Sequence, residues 1–162
     1  MPKFGIVPPE VPVQRSLDLC APQFAAAVRA MLAELVGDRE EWAFETLRTA
    51  ERQRFLYGFS RDYDDGRGKV TNAQTALYSF HGYGLAVDVV EKDATPWDAP
   101  IGFWNAIGEA AEKHGLTWGG RWRTPDLPHV QWGKCPKSPS VGDRALFESG
   151  GMAAVWRKYG AV

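Results

Sequence analysis

The stretch Ser79-Phe-His81-Gly-Tyr-Gly-Leu-Ala-Val-Asp88 is the part of this 162-residue chain around which the rest is organised. Residues 85–90, Leu-Ala-Val-Asp-Val-Val, are short, apolar and rich in β-branched side chains, the pattern of a buried strand. Asp88 stands in the middle of that run. A buried carboxylate without a partner is strongly unfavourable, so the strand demands a neutralising group, either a metal ion or an arginine. His81 lies seven residues earlier, with Gly82 and Gly84 between. Two glycines there predict a tight bend. A bend followed by a strand can carry the imidazole back to the carboxylate. Taken alone, the stretch fits a metal pair and a loop histidine beside an ion-paired aspartate equally well.

A second stretch, Asp126-Leu-Pro-His129-Val-Gln-Trp132, supplies another imidazole and another carboxylate. His129 and Gln131 alternate with Val130 and Trp132, so His129 opens a strand and faces one side of it. Pro128 fixes its own φ and biases Leu127 towards an extended conformation, which stiffens the link from Asp126 to His129. A stiff link suits a base that must stand beside a metal-activated water without being a ligand.

Further pieces lie upstream. Trp42, Phe44 and Thr46 alternate, predicting a strand that delivers Arg48 at its end; Thr49 can cap a helix over 50–57 with Gly58 after it. On its residues alone, Arg48 reads as a surface arginine paired with Glu41, Glu45 or Glu51. Taken together, Ser-x-His-x-x-Gly-x-Ala-x-Asp, Gly-Gly-x-Trp and Asp-x-Pro-His resemble the LAS-type zinc metallopeptidases. That group includes D-alanyl-D-alanine carboxypeptidases and dipeptidases, and the L-alanyl-D-glutamate endopeptidases of phages (endolysins) and bacteria. The chain is most similar to the endopeptidase branch. The matching pieces are Thr46-Leu-Arg48-Thr49, Gln53 with Leu56-Tyr57, Val70-Thr-Asn-Ala73, Ser79 to Asp88, Trp118-Gly-Gly-Arg-Trp122 and Asp126 to His129, spanning roughly residues 40 to 133.

The resemblance implies one Zn²⁺ per chain held by His81, Asp88 and His129, with Asp126 as catalytic base and Arg48 holding substrate or the developing oxyanion. It implies Ser79, Gln53, Trp118 and Trp122 as substrate-binding residues. The implied fold is α+β, a small antiparallel sheet carrying the metal site against scaffold helices, as in Hedgehog and DD-peptidase domains. The expected substrate is the peptidoglycan stem peptide, cut between L-Ala and D-Glu. A D-alanyl-D-alanine dipeptidase or carboxypeptidase is the near alternative, and a zinc-stabilised wall-binding domain without activity the distant one.

Composition sets the outer bounds. The length suits one domain with its own core, and 44% hydrophobic with 24% charged residues is ordinary for a globular chain. A net charge of −1 offers no electrostatic case for nucleic acid or an anionic membrane. No apolar run approaches a membrane span and no signal peptide is visible, so synthesis in the cytoplasm and action on the wall after release are expected. A monomer is expected. Cys20 and Cys135 fit no metal-ligand spacing and read as free thiols, with a single bridge still open.

The remaining elements frame the site. Residues 1–19 are proline-rich and predict an extended arm. Phe24, Val28, Met31, Leu32 and Leu35 recur at helical spacing over 22–36, with Pro22 in the first turn and Gly37 as stop. Residues 59–76 predict a polar loop with a short strand at 69–71; Asp62, Asp64 and Asp65 there favour a solvated turn over a calcium loop. Residues 91–100 predict a loop. Asp98 caps a predicted helix reaching His114, with Ile101, Trp104, Ile107 and Ala111 as its buried stripe. His114 itself suits the helix C-terminus better than a metal. Leu116 to Trp118 predict a strand, and Gly119-Gly120 a turn. Residues 134–162 predict a linker and tail packed on the domain, with 134–143 as the Pro/Ser/Gly linker and Asp143 to Tyr159 as one or two short helices.

Overall fold

The computed structural model describes residues 3–37, 39–92 and 96–162. Met1 and Pro2 of the predicted arm and residues 93–95 of the predicted 91–100 loop lie outside them. The architecture is α+β, with four α-helices and one open antiparallel sheet of four strands among the described residues. The helices are α1 (Pro22–Val36), α2 (Ala50–Gly58), α3 (Ile101–Lys113) and α4 (Val141–Lys158). The strands are β1 (Ala43–Glu45), β2 (Ala86–Val89), β3 (Leu116–Trp118) and β4 (His129–Trp132), in spatial order β1-β2-β4-β3.

The α1 boundaries follow from its ends, with Pro22 inside the first turn and Gly37 at positive φ after the last. Its stripe of Phe24, Val28, Met31 and Leu32 is fully buried, each side chain worth about 1.5–3 kcal/mol of apolar burial. It packs on α3, which in turn covers β3. The sheet faces these helices with Val87, Val89, Leu116, Trp118 and Val130. Strand alternation leaves Ala86, Asp88, His129, Gln131 and Thr117 on the opposite face.

Several expectations change. No strand forms at 69–71, where the chain is irregular. Helix α3 begins at Ile101 with Pro100 as its N-cap, so Asp98 does not cap it; the residue before a proline is pushed to extended backbone, which stops the helix reaching back past Pro100. Ile101 is exposed, and Phe103 takes its place against Trp42 and Trp104. The predicted linker ends early: Ser140 and Asp143 form a reciprocal capping box that starts α4 at Val141, and Gly151 kinks the helix at φ 72°. In the arm, Leu17–Leu19 form a single 3₁₀ turn capped by Ser16. The arm also packs Val7 and Val11 against the cluster of Phe55, Leu56 and Phe59. Asp64 and Asp65 are consumed locally, by Ser60, Gly66 and Gly68 and by Arg67 respectively.

Cys20 and Cys135 are both free and buried, and burial pushes each thiol up to about 12. His114 caps the end of α3 and meets Glu34 at 2.8 Å, away from the other two histidines. Among the described residues, no helix is long and apolar enough to cross a membrane.

Candidate metal centre

Sheet register brings the first two donors together. Asp88 on β2 lies directly opposite His129 on β4, and directly paired residues share a face with Cβ atoms about 5 Å apart. His81 arrives from outside the sheet. It sits in a 3₁₀ turn, Phe80–Tyr83, whose start is capped by the Ser79 hydroxyl accepting from the His81 amide at 3.3 Å. Gly84 ends the turn in the left-handed region at φ 65°, a conformation that returns the chain into β2 and favours glycine.

The His81 Nε2, an Asp88 carboxylate oxygen and the His129 Nδ1 converge, with one ligand atom from each within 4.8 Å of the others. His81 Nε2 is 3.2 Å and His129 Nδ1 3.7 Å from Asp88 Oδ1. The far side of each ring is occupied. His81 Nδ1 meets the Thr46 carbonyl at 3.1 Å; a carbonyl only accepts, so Nδ1 donates to it and Nε2 is the nitrogen turned to Asp88. His129 Nε2 lies 2.8 Å from Gln131 Oε1. The orientation of that amide is set by its nitrogen donating to the Pro136 carbonyl at 2.8 Å. His129 Nδ1 is therefore the free nitrogen. Imidazoles pinned through their outer N–H are the arrangement of metal ligands, and this donor set fits a divalent ion.

Electrostatics agree. Burial alone would raise the Asp88 pKa, but the His81 and His129 imidazoles outweigh it and hold the carboxyl well below its ordinary range. Burial likewise opposes protonation of His129, yet the Asp88 carboxylate beside it raises its pKa. The Asp126 pKa is raised, first by packing against the cleft wall and then by the Asp88 charge. Its side chain is 52% exposed, so solvent screens part of that effect.

Asp126 stands beside the cluster, its carboxylate 3.9 Å from His129 Nδ1. Gly119 makes this position possible: its carbonyl accepts the Asp126 amide at 3.0 Å, and a Cβ there would lie 2.6 Å from the Asp126 carbonyl oxygen and 3.1 Å from His129 Cβ. The donors open onto a cleft of about 770 Å³ whose lining includes Arg48, Thr71, Tyr78, Ser79, Trp122 and Lys137.

The remaining predicted residues divide. Arg48 is nearly buried, pairs with Glu45 and points Nη2 at Asp88 Oδ2, 3.6 Å away, so it faces the centre and is ion-paired at once. Ser79 and Trp122 line the cleft, the Trp122 ring 5.0 Å from that of His129. Gln53 and Trp118 do not line it. Gln53 is fully buried, bonded to Arg48 and to the Ala73 carbonyl. Trp118 is buried on the helix face of the sheet, its indole N–H donating to the Leu127 carbonyl.

On sequence alone Glu45 stood among three partners offered to Arg48, a pairing that the structure forms but buries, and Gln131 was given no role at the site. Gln131 was legible, since alternation puts it on the same face as His129. The burial of Glu45 was not: alternation from Trp42 through Phe44 to Thr46 puts it on the other side of the strand, whereas β1 carries a register irregularity and Glu45 and Thr46 are both buried.

A buried pair of imidazoles with one carboxylate, and a further carboxylate held off them in an open cleft, is the constellation of a metallopeptidase. Residues 72–132 match the family model described as D-alanyl-D-alanine carboxypeptidase. That segment contains His81, Asp88, Asp126 and His129, the residues that the chain's motifs single out. Among solved structures it is similar to the Serratia marcescens L-Ala D-Glu endopeptidase ChiX, at 26% identity over 76% of this chain and 90% of that one, with a TM-score of 0.46. No curated protein matches the chain.

Proposed function

We propose that this chain is a single zinc peptidase domain that hydrolyses the peptidoglycan stem peptide, with the L-Ala–D-Glu bond as its target. The observation that carries the reading is the convergence of His81, Asp88 and His129 within 4.8 Å, with the Asp126 carboxylate beside them but outside the set. A purely structural zinc site would have no use for that extra carboxylate, nor for an opening onto a cleft.

His81, Asp88 and His129 would hold the ion, which when bound supplies Lewis acidity, polarising the scissile carbonyl and acidifying water. Asp126 takes a proton from the attacking water and returns it to the leaving amine. Its raised pKa suits that exchange better than an ordinary carboxylate would. Arg48 directs guanidinium N–H groups at the side of the centre where the oxyanion or a substrate carboxylate would lie. Ser79 and Trp122, on the cleft wall, would meet the peptide.

Digestion of purified peptidoglycan by the metal-loaded chain, with mass spectrometry of the products, tests the reading. New D-Glu N-termini are expected. Released D-Ala would instead favour D-alanyl-D-alanine carboxypeptidase or dipeptidase activity, the alternative that the description of the matching family supports. Wall binding with metal present and no cleavage would overturn both.

A further inference from the structure

Arg48 is gripped from behind by two buried residues. Its Nε donates to Glu45, which is 2% exposed, and its Nη1 donates to the Gln53 side-chain oxygen at 3.1 Å, with Gln53 fully buried. The Gln53 amide has one orientation, because its nitrogen donates to the Ala73 carbonyl at 2.6 Å and reaches the Thr71 hydroxyl at 3.3 Å. Residues 71–73 line the cleft. Glu45 is anchored in its turn: its second oxygen accepts from Arg52 Nε at 3.0 Å, and Arg52 also holds Glu10 and the Val11 carbonyl of the N-terminal arm.

A guanidinium has five N–H donors in a rigid fork. With Nε and one Nη1 donor engaged, the donors left are aimed by geometry at Asp88 and the cleft. Neither Glu45 nor Gln53 lines the cleft. A long arginine side chain would otherwise sample many rotamers, and that freedom is lost on being fixed. Here that freedom is removed before substrate arrives.

We propose that Glu45 and Gln53 are positioning residues, a two-point clamp that aims Arg48 at the reacting centre and ties it to the 71–73 wall through one buried amide. This rests on the reading of the site as a peptidase in which Arg48 faces the substrate.

The test is a double-mutant cycle in the zinc-loaded full chain, read on a stem-peptide fragment. The variants are Glu45→Gln, Gln53→Met, Arg48→Ala, and each of the first two combined with Arg48→Ala. Each single clamp variant should lower kcat by about tenfold or more, because a misplaced positioning group costs on that order. KM and metal stoichiometry should stay at the wild-type values. In the Arg48→Ala background each should cost no more than about twofold further, since coupled residues are not additive. A smaller single effect, a raised KM, or the same loss in both backgrounds overturns the clamp. If Arg48→Ala matches wild type, the role of Arg48 has failed and the clamp with it; if wild type cleaves nothing, the peptidase reading has failed. Should the clamp variants not fold, the wild-type Arg48 side chain decides by NMR. Slow Nε–H exchange and hindered rotation about the Nε–Cζ bond support the clamp, and a rapidly averaged guanidinium overturns it.

Discussion

Replacing Asp126 by Asn separates catalysis from metal binding. Among the described residues lining the cleft, the other carboxylate is Asp88, already enclosed between His81 and His129. Both imidazoles are committed towards the same point, and Arg48 is held in ion pairs. No other lining group is placed to accept the proton of an attacking water. The variant keeps the shape of the side chain and removes only its basicity. General-base contributions run to about 10²–10⁴-fold, so kcat should fall by that factor, about 2.7–5.5 kcal/mol of barrier. Stability should barely change, because the side chain is half exposed and its one close polar contact is the 3.9 Å approach to His129. Metal content should stay at wild-type stoichiometry, since Asp126 is outside the donor set. The assay pairs stopped-time digestion of a stem-peptide fragment with elemental analysis of the same preparation. Turnover within tenfold of wild type would refute Asp126 as the base. Loss of metal would refute its place outside the coordination sphere.

Three other outcomes follow from the same geometry. His129→Ala or His81→Ala should abolish metal retention and activity together, whereas His114→Ala, whose ring meets Glu34, should leave bound metal unchanged in elemental analysis. Gly119→Ala should cut activity while leaving some metal bound, because its Cβ would press on the Asp126 backbone at 2.6 Å; crystallography or kinetics showing an unmoved, fully active Asp126 would contradict this. In the metal-free protein the His129 pKa is raised above the ordinary value of about 6.5. Its contribution to stability is then complete below that ordinary value and is lost as pH climbs through the folded one. Metal must displace the same proton, so affinity should rise over the same interval. Asp88 runs the other way, its contribution present above the ordinary carboxylate range and lost in acid as pH falls through its lowered value. Calorimetric melting of the apo protein against pH, with a metal titration at each pH, reads both; affinity that does not vary with pH would contradict the His129 assignment.

What the amino-acid order determined by itself was local. The α1 boundaries, the β2 and β4 strands and the bend at Gly82–Gly84 were legible because each rests on short-range causes, periodicity, proline and glycine, whereas His81, Asp88 and His129 became a ligand set only through the resemblance of their motifs. The α+β class was implied by the same resemblance, and the structure has it. Tertiary structure decided what depends on register and on distant contacts. Direct pairing of Asp88 with His129 is a matter of strand alignment, and a one-residue slip would have turned one of them to the opposite face. Glu45 is buried where β1 carries a register irregularity, and two arginines, 48 and 52, are there to neutralise it. Gln53 and Trp118 sit among the matching motifs, yet one stands behind Arg48 and the other on the helix side of the sheet. A motif records that a side chain matters, whereas only the folded chain decides which of its neighbours that side chain touches.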